Sequence, residues 1–140
     1  MIDSFKLVYR QFEPVRESLS SLYYYEWTSA LQRYQMKREG RTNERDEGVF
    51  PLAIDAEQSL LDFLLKHDLL TNRNINHNPY QDPAAFQGAE GLNIEIECQI
   101  GGKSIRQHYR GTSLQLEPYT GALHELWRLV HGFLPQALSS

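Results

Sequence analysis

Residues 91–110 carry the pattern that most restricts how this chain can fold. Apolar and polar residues alternate strictly before a Gly101-Gly102 pair, and the apolar set is Leu92, Ile94, Ile96, Cys98 and Ile100. A period of two is typical of a strand with one buried face. Two successive glycines can adopt the positive φ angles of a two-residue hairpin turn. The sequence therefore predicts a β-hairpin over residues 92–110.

Folding at that turn also fixes which residues face each other. The expected pairs are Cys98–Ile105 and Ile94–Tyr109 on the apolar face, with Glu97–Arg106 and Glu95–His108 on the polar face. Both polar pairs are favourable across strands. The alternation and the pair chemistry thus indicate the same register.

Two further segments have the spacing of amphipathic helices. After Asp55, a possible N-cap with Gln58 in the capping-box position, a leucine-rich face runs towards Asn72. A second helix is predicted from about Thr120 to His131, where apolar residues recur at spacings of three and four. Gly132 follows it as a stop signal.

The first third of the chain allows more than one interpretation. Residues 4–11 alternate as a strand, and residues 48–54 predict an edge strand because Pro51 cannot donate to an interior ladder. Residues 14–38 fit either a long helix or a hairpin, since their aromatic residues satisfy both periods. The expected fold is therefore α+β: a small antiparallel sheet, including the hairpin 92–110, packed against two or three helices.

Composition supports one domain over residues 1–140, with a long polar loop at residues 71–91. Apolar residues make up 41% of the chain, enough for a hydrophobic core. No 18-residue apolar run and no signal-peptide pattern occur, and the one cysteine cannot form an internal disulfide. We expect a cytoplasmic protein without membrane contact.

Charge is distributed unevenly along the chain, whose net charge is −4. Residues 31–45 hold five basic and two acidic residues, whereas residues 46–97 hold ten acidic and two basic residues. If the fold gathers those acids, they would steer a basic partner to one face. The alternative is ordinary solvated charge. The net negative charge argues against nucleic acid as a partner.

The polar face of the hairpin is the first candidate site. It combines Glu95, Glu97, Arg106 and His108, with Arg110 beyond them. A carboxylate beside a histidine can exchange protons, but a solvent-facing sheet surface with paired charges has the same composition. A second candidate is the loop, where His77, Tyr80 and Asp82 could bind a small ligand.

Aromatic residues supply the third candidate surface. Tyr23, Tyr25 and Trp27 lie in a cluster suited either to a partner or homodimer interface or to the core. On the last helix, the string HELWR has Arg128 where a zinc-protease motif needs histidine. His124, Glu125, Arg128 and His131 are therefore interpreted as a solvated helix face, and no metal or other cofactor is expected.

No catalytic motif is present in the chain, and Cys98 falls on the predicted core face. Small acidic α+β domains of this kind resemble, in general character, the immunity proteins that neutralise toxic nucleases. That resemblance implies a non-enzymatic protein-binding module that masks a basic partner. The alternatives are a small-ligand binder or enzyme using the loop 71–91 and the hairpin's polar face, and a homodimeric structural subunit.

Overall fold

A seven-stranded sheet dominates the fold. The computed structural model describes residues 2–13, 18–28, 31–38, 44–51, 55–77 and 90–133. Its elements in chain order are β1 (Ile2–Glu13), β2 (Ser18–Thr28), β3 (Leu31–Arg38), β4 (Glu44–Pro51), α1 (Ala56–Lys66), β5 (Arg73–Asn76), β6 (Gly91–Ile100), β7 (Lys103–Thr112) and α2 (Thr120–His131).

The strands lie side by side in the order β4-β3-β2-β1-β6-β7-β5. Every neighbouring pair is antiparallel except β5, which runs parallel to β7. Strand β1 lies at the centre of the sheet and pairs with β2 on one side and with β6 on the other. The sheet thus joins the N-terminal strands to the C-terminal hairpin through a single central strand.

The prediction of a small antiparallel sheet packed against two or three helices is wrong. The described part of the chain is mostly one large mixed sheet with two helices. The helical interpretation of residues 14–38 fails because β2 and β3 fill its described part and pair with each other. Aromatic side chains favour strands where they pack on a pleated surface, and this sheet supplies that surface.

The hairpin prediction is confirmed in its register. Strands β6 and β7 pair Cys98 with Ile105 and Glu97 with Arg106. The turn glycines, Gly101 and Gly102, have φ angles of +56° and +82°. These are left-handed conformations that glycine adopts without strain. The predicted edge strand is confirmed over residues 48–51, since β4 lies at one edge of the sheet, begins earlier, at Glu44, and ends at Pro51. Residues 52–54 of the predicted strand lie outside the described residues.

One face of the sheet, here called the inner face, forms the core. Its buried side chains on β1, β2 and β6 are Phe5, Leu7, Tyr9, Tyr23, Tyr25, Leu92, Ile94, Ile96 and Cys98. Leu60 and Leu64 from α1 pack into the same cluster, as do Leu123, Leu126 and Val130 from α2. Both helices therefore cover the inner face, and the alternation of the strands directs the intervening residues to the opposite, outer face.

The helices begin close to their predicted starts, but α1 is shorter than predicted and ends at Lys66. Asp55 occupies the N-cap of α1 without a side-chain hydrogen bond to the helix. Gln58 donates to Asp62 at 2.7 Å instead of completing a capping box. Helix α2 matches its predicted bounds, with Gly132 as its C-cap. The hydrophobic spacing, rather than the capping chemistry, located both helices.

Candidate functional site

The outer face of the sheet differs in charge from the protein as a whole. Seven basic residues and four acidic residues project from its described strands. They are Lys6, Arg10, Arg33, Lys37, Arg45, Arg106 and Arg110, and Glu26, Glu47, Glu95 and Glu97. The chain carries a net charge of −4, so this face is basic on an acidic protein.

One row of charges alternates in sign across five strands. The register places Arg33 opposite Glu26, Glu26 opposite Lys6, Lys6 opposite Glu97, and Glu97 opposite Arg106. Opposite charges that face each other across strands stabilise the pairing by a few tenths of a kcal/mol to about 1 kcal/mol. We call this the alternating row. Within this row each charge faces a charge of opposite sign on the neighbouring strand.

The middle of the outer face is apolar. Val8 is only 3% exposed although it points away from the helices, and it lies opposite Tyr24 on β2. The ring of Tyr24 lies 5.6 Å from the ammonium of Lys6, and its hydroxyl donates to Glu26 at 2.9 Å. Partial burial and the Glu26 carboxylate raise the pKa of Tyr24 to about 12. Leu22, half-buried, continues the apolar patch along β2.

The structure places the predicted residues Glu95, Glu97, Arg106 and His108 together on the outer face. Their contacts are those of a paired surface. Glu95 forms an ion pair with Arg10 at 3.7 Å, and Glu97 lies 4.0 Å from Arg106. The Nε2 atom of His108 lies 2.7 Å from the amide oxygen of Asn93. The hydrogen bond of His108 thus goes to an amide, so these contacts do not form the carboxylate–histidine pair that proton transfer needs.

Two shallow grooves flank the apolar middle of the outer face. A groove of about 340 Å³ lies over β6 and β7, where Glu95, Arg106 and His108 line it together with Asn74 of β5. A second groove, of about 500 Å³, lies over β3 and β4 beside Tyr24. The grooves and the patch between them make the outer face an uneven surface rather than a flat one.

Tyr23 and Tyr25 belong to the core. They are 7% and 3% exposed and lie beneath α2 on the inner face. Trp27 follows them in β2 opposite Phe5, and its side chain is outside what the structure describes. Of the two interpretations, partner interface or core, the structure therefore supports core packing for Tyr23 and Tyr25. The residue between them, Tyr24, faces outward.

Helix α2 contacts the sheet through side chains that the sequence assigned to solvent. The hydroxyl of Tyr9 lies 2.6 Å from Nδ1 of His124, and the hydroxyl of Tyr25 lies 2.6 Å from Nδ1 of His131. The ring of Trp127 lies between the two pairs, stacked on Tyr9 and on His131. The predicted solvated face is therefore wrong for both histidines and holds for Glu125 and Arg128, which pair with each other at 3.1 Å.

Burial explains the protonation states in this contact. It raises the pKa of Tyr25 well above its ordinary value and lowers the pKa of His131. A protonated hydroxyl beside a neutral imidazole donates to Nδ1, which assigns the ring proton of His131 to Nε2. The spacing of seven residues, two helix turns, places His124 and His131 on one face of α2. Their partners lie on two different strands, Tyr9 on β1 and Tyr25 on β2, so the pairs follow only from the order of the strands in the sheet.

The other predicted residues are dispersed or lie outside the described part of the chain. His77 follows the short strand β5, and its backbone N–H donates to the carbonyl of Arg110. Tyr80 and Asp82 lie outside the described residues. The acidic residues of the middle segment are not gathered on the hairpin. Asp55, Glu57 and Asp62 lie at α1, on the side of the sheet opposite Glu95.

Within the described ranges, no group of three or more His, Cys, Asp or Glu side chains could hold a metal ion. The helices among those residues are too short and too polar to cross a membrane. Burial raises the pKa of Cys98 to about 11, and the nearby charge of Asp3 adds to this effect. A thiol that stays protonated in the core is a poor nucleophile. No family model matches the sequence, and no curated protein is significantly similar to it.

Proposed function

We propose that this chain is a non-enzymatic protein-binding module that acts by covering part of another protein's surface, in the manner of an immunity or inhibitor protein. The outer face of the sheet is the contact surface. The observation that carries the proposal is the apolar middle of that face, where the half-buried Leu22 and Tyr24 lie beside the almost fully covered Val8, within a border of charged side chains. Protein interfaces have this anatomy, with an apolar centre and a polar rim.

The border contributes orientation rather than affinity. Exposed ion pairs stabilise a fold by only about 0–1 kcal/mol, because solvent screens them. Charge complementarity across an interface instead accelerates the encounter and excludes wrong partners. Tyr24 is the expected anchor, since a tyrosine supplies a large contact area with few rotatable bonds and keeps a polar end.

A site-specific photo-crosslinking experiment in the native host tests this proposal. A photoreactive phenylalanine derivative replaces Tyr24 on the outer face, and in a second strain it replaces Leu65, which is 61% exposed on α1. We expect one dominant protein adduct from position 24 and none from position 65. An adduct from position 65 alone, or no adduct from either, contradicts the proposal.

The groove over β6 and β7 supports a second candidate, a small-ligand binder or enzyme. Its volume of about 340 Å³ is within the range of small-molecule sites, and it is lined by both carboxylates and basic groups. Native mass spectrometry of the gently purified protein distinguishes the two functions. A constant additional mass below about 1 kDa that is lost in Arg106→Ala would favour the ligand-binding function over the protein-binding one.

A further inference from the structure

We infer that the contact between α2 and the inner face of the sheet is a redox site, where each of two tyrosines can lose an electron to a one-electron oxidant while its histidine partner takes the phenolic proton. The pairs are Tyr9 with His124 and Tyr25 with His131, and each hydroxyl lies 2.6 Å from Nδ1 of its histidine. The ring of Trp127 lies between the two pairs. This site lies on the side of the sheet opposite the proposed contact surface and is independent of it.

The two hydrogen bonds supply what oxidation of a buried tyrosine requires. A phenol that has lost an electron is a very strong acid, so its oxidation is favourable only where a base receives the proton at the same time. Imidazole is the side-chain base that is neutral and able to accept a proton near pH 7. Burial raises the pKa of Tyr9 and of Tyr25, so both hydroxyls keep their protons in the resting protein. Each proton therefore has only the length of an existing hydrogen bond to move.

Electrons and protons balance within each pair. One electron leaves the phenol for the oxidant, for example a diffusing oxygen-centred radical, and the phenolic proton moves to Nδ1. The products are a neutral tyrosyl radical, an imidazolium that carries a proton on both ring nitrogens, and the reduced oxidant. An electron returned by a small one-electron reductant sends the proton back to the phenolate oxygen and restores the pair.

Trp127 is the point at which the oxidant acts. Its side chain is half-buried, so part of the ring is open to solvent, and its centroid lies 5.8 Å from that of Tyr9 and 4.9 Å from that of Tyr23. Its indole N–H is buried and has no acceptor in hydrogen-bonding geometry in the described part of the chain. An oxidised indole here has no base for its proton and instead takes an electron from a neighbouring ring. Electron tunnelling is fastest between rings in contact, so Tyr9, which has both that contact and a base, is the first donor.

Packing alone does not require a base beside a buried tyrosine. Tyr109, in the same core, is 0% exposed, and its hydroxyl donates to the amide oxygen of Gln107 at 2.9 Å. That bond satisfies the hydroxyl, but an amide oxygen is too weak a base to receive the proton of an oxidised phenol. Tyr109 is therefore a buried tyrosine without the redox chemistry of the two histidine pairs, and it serves as the matched control.

Transient absorption after a laser flash tests the site in the full chain. All proteins carry Trp27→Phe, which leaves Trp127 as the one tryptophan of the two in the sequence. A ruthenium polypyridyl photosensitiser with an electron acceptor oxidises Trp127, and the spectrum then follows electron transfer from tyrosine to the indole radical. We expect a tyrosyl radical to replace the indole radical at a rate that does not depend on protein concentration and that falls in D2O.

The variants assign that transfer to the histidine pairs. His124→Gln with His131→Gln leaves an acceptor for each hydroxyl but removes both bases, and we expect it to slow the transfer by about tenfold or more. Tyr109→Phe removes a buried tyrosine without a base and should change the rate little. Circular dichroism checks that each variant is folded.

Three results would overturn the inference: decay of the indole radical without a tyrosyl radical, equal rates in H2O and D2O, or equal slowing by the glutamine variant and by Tyr109→Phe. An unchanged rate in a folded glutamine variant would overturn it as well. The comparison of H2O with D2O uses the protein with both histidines present, so it decides the question even if the glutamine variant does not fold.

Discussion

At the scale of single residues, the contact between His131 and Tyr25 makes the stability of the fold depend on pH. Burial lowers the pKa of His131 below 6.5 in the folded protein, and Tyr23, Tyr25 and Trp127 surround its ring. The unfolded chain therefore binds a proton at a higher pH than the folded chain does. The stability that neutral His131 contributes is fully present above its ordinary pKa. It is lost as the pH falls from that pKa towards the lower pKa that His131 has in the folded protein.

We therefore expect the free energy of unfolding to fall between about pH 7.5 and about pH 5.5, and to fall less in His131→Gln, which cannot titrate in that range. Urea denaturation at both pH values measures the difference. The variant can be less stable than wild type at every pH, so the comparison concerns only the change with pH. The same pH dependence in both proteins would show that His131 is not the group responsible.

Gly48 on β4 allows two inner-face rings to stack. The rings of Tyr34 and Phe50 lie 5.5 Å apart, and a Cβ atom at Gly48 would lie 2.8 Å from Tyr34 and 2.9 Å from Phe50. Gly48→Ala should cost about 1–3 kcal/mol, the range for overpacking a well-packed site. Gly121→Ala on α2 is the control, because nothing lies within 4 Å of its Cβ position. Chemical denaturation that finds both variants equally stable would contradict the stacking argument.

At the scale of secondary-structure elements, the hairpin depends on the backbone of its turn. Gly101→Val should destabilise the protein by roughly 1–2 kcal/mol, because a β-branched residue resists a φ of +56°. No atom lies within 4 Å of the Cβ position, so the effect would come from the backbone and not from a clash. Ser104→Val, at an exposed strand position three residues later, should have little effect on the melting temperature. Equal melting temperatures for the two variants would refute the turn argument.

The same hairpin shows what the sequence can and cannot predict about elements. The hairpin and α2 are local, and each has a complete pattern of its own, so their bounds and register follow from the sequence. Strands β2 and β3 are ambiguous because their aromatic residues satisfy both periods until a partner strand is present. Strand β5 is missed because its sequence, Arg-Asn-Ile-Asn, is polar. Only its parallel pairing with β7, more than 30 residues away, makes it a strand.

The prediction of side-chain contacts between helix α2 and the sheet fails for a related reason. A polar residue on a helix is assigned to solvent unless a polar partner is known, and the partners of His124 and His131 are hydroxyls on strands more than 100 residues earlier. The sequence places Glu95, Glu97, Arg106 and His108 on one face of the hairpin correctly, because cross-strand register follows from the turn. The extension of that face across β1, β2, β3 and β4 required the sheet order.

At the scale of the whole molecule, charge is separated across the sheet. The outer face is basic, whereas Asp55, Glu57, Asp62 and Asp68 lie in or beside α1, which packs on the inner face. Counting charge along the chain cannot reveal this separation, because alternation in a strand sends neighbouring residues to opposite faces. The acidic middle segment suggested a basic partner, yet two of its acids, Glu95 and Glu97, lie beside Arg10 and Arg106 on the basic face.

Charge reversal at Glu95 and Glu97 distinguishes a basic partner from an acidic one. Glu95→Lys with Glu97→Lys makes the outer face almost uniformly basic. A basic partner would then associate more slowly, and an acidic partner would associate faster, with the difference shrinking as salt rises. We expect acceleration, measured by stopped-flow kinetics with the protein captured through position 24. The fold should lose little, since each acid takes part in one partly exposed ion pair and such pairs contribute about 0–1 kcal/mol.

Asp62→Lys with Glu125→Lys supplies the matched control on the helices. It changes the net charge by the same amount, and each of its acids also has one local partner, Gln58 for Asp62 and Arg128 for Glu125. If the outer face is the contact surface, this control should change the association rate far less than the hairpin variant does. Its charges lie on α1 and α2, which pack on the opposite face of the sheet, and salt screens exposed charges over a Debye length of about 8–10 Å. Equal acceleration by both variants would mean that net charge alone steers the partner. Slower association of the hairpin variant would mean that the partner is basic, as the acidic middle segment first suggested.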